Sequence, residues 1–337
     1  MTILITGGAG FIGTNFVFNY LNQRNDKLII YDKLTYAGNK ENFKKLRNDN
    51  RFKFIKGDIT NKDKLKKIVF EHNPSAVINF AAETHVDNSI NHPRSFINTN
   101  IFGTFTLLNV IRKYYDLLKS EEKNKFVFLN ISTDEVFGSL ELSSRPFNEN
   151  SPFMPNSPYS ASKASADHLV RSYNKTYKVP SITTHCSNNF GPYQHEEKFI
   201  PKIIKNALKW SKIPIYGEGK NIRDWIFVED HCNALIKIIE NGNVGDTYNI
   251  GAGKEFSNIN LARLICRKLD LIYPNKNGSY ETLISFVKDR AGHDFRYSID
   301  STKLKNNLDW KLTKSFDQSL HYTIKWHVKN FLDLEKS

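Results

Sequence analysis

A run of glycines, Thr6-Gly7-Gly8-Ala9-Gly10-Phe11-Ile12-Gly13, lies between an apolar pentapeptide and a segment of helical periodicity. The pentapeptide Thr2–Thr6 (TILIT) reads as a buried strand, and Ile12–Gln23 reads as the helix that follows. Gly7, Gly10 and Gly13 fit the spacing G-x-x-G-x-x-G. One glycine lets the chain turn sharply, one lets backbone approach a pyrophosphate, and one lets the helix pack on the strand. The helix N-terminus then offers free N–H groups and a positive dipole end to phosphates. Glycine turns also follow strands for structural reasons alone; the position directly after the first strand favours the dinucleotide reading. Asp32 stands 19 residues after Gly13, at the end of a second strand. A carboxylate there would bind the adenosine ribose hydroxyls and repel a 2′-phosphate, which favours NAD over NADP. The bland alternative is a turn aspartate. Gly57-Asp58-Ile59 ends a third strand and is placed to meet the adenine edge.

The pattern continues along the chain. Leu28–Tyr31, Phe52–Lys56, Ala76–Phe80, Phe126–Ile131 and Ser181–His185 read as strands. Lys62–Glu71, Phe96–Tyr115 and Ser160–Tyr177 read as helices between them. Strands alternating with helix-length segments predict an α/β fold, a doubly wound parallel sheet of Rossmann type. A smaller mixed C-terminal substrate domain is expected beside it. Residues 1–186 and about 220–250 are assigned to the NAD-binding half, and about 187–219 and 251–337 to the second. After residue 186 the texture changes, and Asn188–Pro192 and Tyr216–Gly219 read as turn-rich loops. Phe96–Tyr115 is apolar on more than one face, through Ile97, Ile101, Phe102, Phe105, Leu107, Leu108, Val110, Ile111 and Tyr115. Such a helix is buried on more than one side, either deep in the core or against a partner subunit.

Composition narrows the class. With 337 residues, 39% apolar and 25% charged, the chain can build a sizeable core and is not generally disordered. No apolar run approaches the roughly 20 residues needed to cross a bilayer, and the first residues lack the features of a signal peptide. Cys186, Cys232 and Cys266 form neither a disulfide framework nor a metal spacing, so a cytoplasmic protein with reduced thiols is expected. The net charge of +13 is spread along the chain, without a basic stripe interleaved with aromatics. It reads as solvated surface with some help toward an anionic small substrate; no nucleic acid and no membrane partner is expected. His85 and His293 lack a third ligand at a known spacing, so no metal is expected.

Two constellations carry chemistry. Tyr159 and Lys163 form Y-x-x-x-K, which puts them on one helix face. A lysine cation beside a phenol lowers its pKa from about 10 and fits it to take a proton from a sugar hydroxyl. A surface Tyr/Lys pair is the alternative. Ser132-Thr133-Asp134-Glu135-Val136-Phe137-Gly138 follows the fifth strand, where open α/β sheets place their active sites. A hydroxyl and two adjacent carboxyls exceed what hydride transfer requires, and carboxyls whose environments differ can serve as one acid and one base. Against this stands a solvated acidic turn.

Further motifs complete the pattern: Asp32–Gly38, Ala81–Asp87, Cys186–Tyr193, Glu197–Pro201, Arg223-Asp224-Trp225 and Asp289–Asp294. From Thr2 to about Trp326 the chain resembles the extended short-chain dehydrogenase/reductase family, in its NAD-dependent epimerase/dehydratase branch. The resemblance implies NAD as cofactor and elimination of water from a sugar nucleotide, dTDP-glucose, in deoxysugar biosynthesis, by a homodimer. It implies a catalytic set of Thr133, Asp134, Glu135, Tyr159 and Lys163. Tyr159, with Lys163 and Thr133, would serve oxidation at C4; Glu135 would take the C5 proton and Asp134 protonate the departing 6-hydroxyl. NAD would be lined by Gly7, Gly10, Phe11, Ile12, Gly13, Asp32, Lys33, Leu34, Thr35, Asp58, Ile59, Phe80, Ala81, Ala82, Thr99, Tyr159, Lys163 and Asn189. The sugar nucleotide would meet Thr84, Thr133, Asn188, Lys198, Phe199, Pro214, Ile215, Tyr216, Arg223, Asn258, Asp289, Arg290 and His293. Phe137 and Phe190 stand where the family pattern has tyrosine, Asn88 where it has arginine, and Ala291 where it has proline. A C4 epimerase or decarboxylase acting on UDP-sugars, and a non-catalytic NAD-binding protein, are the competing readings.

Overall fold

The computed structural model describes residues 1–335. Its strands in chain order are β1 (Thr2–Thr6), β2 (Lys27–Asp32), β3 (Phe52–Lys56), β4 (Ala76–Asn79), β5 (Val127–Thr133), β6 (Ser181–Cys186), β7 (Asn188–Phe190), β8 (Ile213–Tyr216), β9 (Ile222–Phe227), β10 (Thr247–Ile250), β11 (Glu255–Ser257), β12 (Ile284–Val287) and β13 (Arg296–Tyr297). Seven of them form one parallel sheet in the order β10-β6-β5-β4-β1-β2-β3. The near-continuous apolar runs follow from burial on both faces. Ile3 and Ile5 of β1 join one core with Phe16, Leu28 and Ile30, whereas Leu4 joins another with Ile29, Val77 and Leu107. The strand order reverses between β1 and β4, and at that switch point open α/β sheets bind ligands.

The remaining strands build a smaller region. β9 pairs antiparallel with β11 and parallel with β13 and β7, and β8 pairs parallel with β12. Two expectations change here. Asn188–Phe190, read as a loop, is strand β7, because β9 supplies its partner. The stretch at about 220–250 is divided: β9 joins the small sheet, while helix Val228–Asn241 packs on helix Phe11–Gln23 and β10 closes the large sheet. The chain passes from one sheet to the other at Phe227–Val228, with no change of composition to mark it.

The segment read as one helix at Phe96–Tyr115 has three parts: a turn at Pro93–Phe96, a π-helical stretch at Ile97–Gly103 and an α-helix at Thr104–Leu117. Its inner face buries Leu107, Leu108, Val110 and Ile111. Its outer face leaves Ile97 53%, Phe102 54% and Phe105 39% exposed, so a second burial is not made among the described residues. The π-stretch turns Asn100 inward, where it bonds both the N–H and the carbonyl of Glu83 and the hydroxyl of Ser162. Helix Pro158–Tyr177 starts on Ser157, whose hydroxyl accepts from the N–H of Ser160, with Pro158 in the first turn.

Candidate active site

A cleft enclosing, with its open mouth, about 1580 Å³ runs along the carboxyl ends of β1, β2, β4, β5 and β6. The glycine loop forms one wall. Gly7 has φ +69°, and a Cβ there would fall 2.4 Å from the backbone nitrogen of Ala81. A Cβ on Gly13 would fall 2.6 Å from Cα of Gly8, which is the helix-to-strand approach expected of that glycine. At Gly10 the nearest atom would be 3.4 Å away, so that face of the loop is open. Asp32 ends β2, and its carboxylate accepts from the N–H groups of Ala9 at 2.9 Å and Leu34 at 2.7 Å. Burial pushes this carboxyl above the usual range. Lys33 pairs with Asp58 at 2.8 Å.

Each residue expected at a dinucleotide lines this cleft except Leu34, whose side chain packs on the core while its N–H holds Asp32. The reaction residues converge at the other end. Thr133 ends β5 and caps the short turn Asp134–Phe137, its hydroxyl accepting from the N–H of Glu135 at 3.3 Å. Asp134 is buried, and its Oδ2 has no hydrogen-bond partner among the described residues. Burial, with Glu135 and Asp224 nearby, holds its carboxyl well above the usual range. Glu135 is also raised by burial, against the pull of Arg290, Arg223 and Lys198. Tyr159 and Lys163 line the same space from helix Pro158–Tyr177.

One electrostatic expectation is reversed. Tyr159 lies well above its ordinary pKa, not below it, because burial and the charges of Glu135, Cys186 and Asp134 outweigh a hydrogen bond with Thr133. The Lys163 ammonium is turned to the carbonyl of Ile131, at 2.7 Å, and burial lowers its own pKa.

Of the residues expected at a sugar nucleotide, Thr84, Thr133, Asn188 and Lys198 line the cleft, and Lys198 donates to the carbonyl of Thr84 at 2.9 Å. Others stand apart from its lining. Arg223 is buried, donates to the carbonyls of Asp294 and Phe295, and lies 4.1 Å over the ring of Tyr297. Arg290 and Tyr216 share Asp87, at 3.5 and 3.0 Å, and Asp289 meets His293 at 2.6 Å. Phe199 stacks on Trp225, Asn258 opens helix Asn258–Ile272, and Pro214 is half-buried on β8. Ile215 is fully buried in the core, so its side chain is not available to a ligand.

The cleft also holds residues that motif reading did not single out as ligands: Glu83, Cys186, Ser187, Gln194, His195 and Glu197. Glu197 accepts from the Tyr36 hydroxyl at 3.0 Å and lies 3.8 Å from His85 and 3.7 Å from His195. Its place beside Lys198 in the motif Glu197–Pro201 was the available signal. Among the described residues no group of three or more His, Cys, Asp or Glu side chains is arranged to hold a metal.

The family model described as GDP-mannose 4,6 dehydratase matches residues 4–323. The chain belongs to this family. A dTDP-glucose 4,6-dehydratase of Xanthomonas campestris pv. campestris is 46% identical over 330 residues, 98% of this chain and 93% of the relative. A dTDP-glucose 4,6-dehydratase of Neisseria gonorrhoeae is 45% identical over 331 residues, 97% and 96% of the two chains. Among solved structures, the dTDP-glucose 4,6-dehydratase DesIV of Streptomyces venezuelae, with NAD bound, superimposes with TM-score 0.89 at 38% identity, covering 98% of each chain. A UDP-glucose 4-epimerase of Thermotoga maritima gives TM-score 0.86 at 25% identity, covering 98% of this chain and 100% of that one.

Against the family pattern, the two phenylalanines have a packing account. Phe137 is enclosed by Phe147, Phe153 and the ring of His185, and Phe190 by Trp225, Phe227 and Phe316. A hydroxyl in either apolar nest would need a partner. Nothing in the structure explains Ala291.

Proposed function

We propose that the chain converts dTDP-glucose to dTDP-4-keto-6-deoxyglucose with NAD, as a hydro-lyase. The observation that carries this reading is one cleft uniting a Tyr159/Lys163 pair with two adjacent carboxyls, the buried Asp134 and the half-buried Glu135. Matched relatives named as dTDP-glucose 4,6-dehydratases over nearly the full chain support it.

The residues fit NAD. Gly7 lets the loop pack against the backbone of Phe80 and Ala81, the open face of Gly10 leaves room for a ligand, and Asp32 is held at the end of β2 by the N–H of Ala9 in the loop. Gly7, Gly10, Phe11, Ile12 and Asp32 would hold the adenosine diphosphate part; Tyr159, Lys163 and Asn189 would face the nicotinamide. When bound, NAD would supply a reversible hydride acceptor for the sugar carbon. Burial holds the Tyr159 phenol protonated in the cleft, so Tyr159 takes the proton of the 4-hydroxyl only as its phenolate, a form favoured by the Lys163 ammonium on the same helix face and by the Thr133 hydroxyl beside it. The 4-keto group acidifies C5, where Glu135, facing three cations, takes the proton. Burial and two neighbouring carboxyls raise Asp134 well above the usual carboxyl range and so favour its protonated form, which gives its proton to the departing 6-hydroxyl. Water leaves, and the hydride that left C4 ends on C6, so there is no net oxidation.

A C4 epimerase needs the Tyr/Lys pair and has no use for the adjacent carboxyl pair, so Asp134 and Glu135 favour dehydration. Incubation with dTDP-, UDP-, GDP- and CDP-hexoses, read by mass spectrometry and NMR, tests the reading. A 4-keto-6-deoxy product from the dTDP-hexose supports it; galactose or xylose products from UDP-sugars, or no product at all, contradict it. The reading includes a homodimer, supported by the exposed Ile97, Phe102 and Phe105. It places the enzyme in the cytoplasm, where Cys186, Cys232 and Cys266 stay free thiols.

A further inference from the structure

Helix Pro158–Tyr177 places Tyr159, Lys163 and Asp167 at successive i+4 positions, on one face. The first two open on the cleft; Asp167 is 5% exposed and lies beneath it. Its carboxylate is fully engaged. Oδ1 accepts from Asn130 Nδ2 at 2.9 Å, and Oδ2 accepts from Ser132 Oγ at 2.6 Å and from His185 Nε2 at 3.1 Å. Between Asn130 and Ser132, the carbonyl of Ile131 accepts from Lys163. Three consecutive residues of β5 are thus tied to two residues of one helix, and β6 is tied to the same carboxylate through His185. The network continues from Asn130 to Asn79 at 3.1 Å and from Asn79 to Thr6 at 2.7 Å, the last residues of β4 and β1.

All three partners donate, so a carboxylate, which accepts on both oxygens, fits them where an amide would turn an N–H toward a donor, and its burial carries a desolvation cost. The carboxylate touches His185 and makes no direct ion pair with Lys163, one turn away, but its charge acts on that ammonium through space and opposes the burial that lowers it. We infer that Asp167 is a positioning residue for the reaction: its carboxylate fixes Tyr159 and Lys163 against Thr133, Asp134 and Glu135 and gives the buried ammonium its counter-charge. The inference rests on the dehydratase reading above. The titratable groups around the pair are Tyr159 on the same helix, His185 and Cys186 on β6, and Asp134 and Glu135 after β5. Arg112, on the helix packed alongside, faces Tyr177 at the far end. Burial lowers Lys163 and the Asp167 charge opposes that, so removing the charge makes the ammonium lose its proton at lower pH.

Steady-state kinetics on dTDP-glucose across pH, with Tm and bound NAD measured on the same preparations, test this. In Asp167→Asn, which keeps shape and removes charge, kcat falls at least about tenfold with KM within about twofold. Its alkaline limb moves to lower pH, and Asp167→Glu restores the limb. A folded Asp167→Asn whose limb coincides with wild type overturns the inference. A second arm compares His185→Gln, which presents an N–H where Nε2 stands, with His185→Leu, which does not, and decides the question if Asp167→Asn fails to fold. The Leu variant loses at least about fivefold in kcat relative to the Gln variant at equal KM; equal kcat in the two overturns the positioning role. Wild-type protein inactive on every nucleotide sugar defeats the dehydratase reading instead, so the two failures are distinguishable.

Discussion

Replacing Glu135 by glutamine keeps the side chain's volume and removes its capacity as a base. In the structure burial raises this carboxyl while Arg290, Arg223 and Lys198 pull it down, and Oε2 has no hydrogen-bond partner. Loss of a positioned base lowers kcat by about 10²–10⁴-fold, which is about 3–5 kcal/mol of transition-state stabilisation. Stability moves the other way. A carboxyl raised in the folded state contributes stability below its unfolded pKa, ordinarily 4.5, and loses that contribution as pH rises through the folded value. At neutral pH the ionised group is a net cost to the fold, and the amide removes it. Glu135→Gln therefore has a Tm at neutral pH equal to or above wild type, by about 2 °C for each kcal/mol relieved. The assay is NMR of dTDP-glucose turnover in D2O, which reads product and solvent exchange at C5 together, beside a thermal melt. A kcat within threefold of wild type with C5 exchange intact refutes the role of Glu135. An activity loss that tracks a falling Tm refutes the reasoning from burial.

Gly7→Ala puts a Cβ 2.4 Å from the Ala81 nitrogen at φ +69°; overpacking of about 1–3 kcal/mol and a left-handed penalty of about 1–2 kcal/mol lower Tm and strip NAD during gel filtration, and an unchanged Tm contradicts the cradle. The kcat profile of the wild type is a bell: the acid limb follows protonation of Glu135 and lies above 4.5, its ordinary value, and the alkaline side includes loss of the Asp134 proton. An acid limb that persists unchanged in Glu135→Gln argues against this assignment. Phe102→Asp places a charge on the exposed face of Ile97–Gly103, so sedimentation at micromolar concentration shows a dimer for wild type and a monomer for the variant; a monomeric wild type contradicts the dimer.

What could be read in the sequence was local. β1, the glycine loop and the place of Asp32 depend on a single apolar strand and on backbone room, both written in neighbouring residues. Tyr159 and Lys163 share a face because helical spacing alone puts them there. The rest depends on partners far along the chain. β7 has three residues and exists as a strand only because β9 lies beside it. The tyrosine's raised pKa follows from burial among Glu135, Asp134 and Cys186, which spacing to Lys163 does not report. Ile215 sits in a stretch whose neighbours Pro214 and Tyr216 are half-exposed, and strand alternation sends its own side chain into the core. Asp167 reads as an ordinary polar helix residue until β5 and β6 close over it.

The direct test of the whole account follows one hydrogen. With dTDP-glucose carrying deuterium at C4, the account predicts that the label reappears in the new methyl group at C6, within the same molecule. Label released to solvent, or retained at C4 in the product, would contradict it.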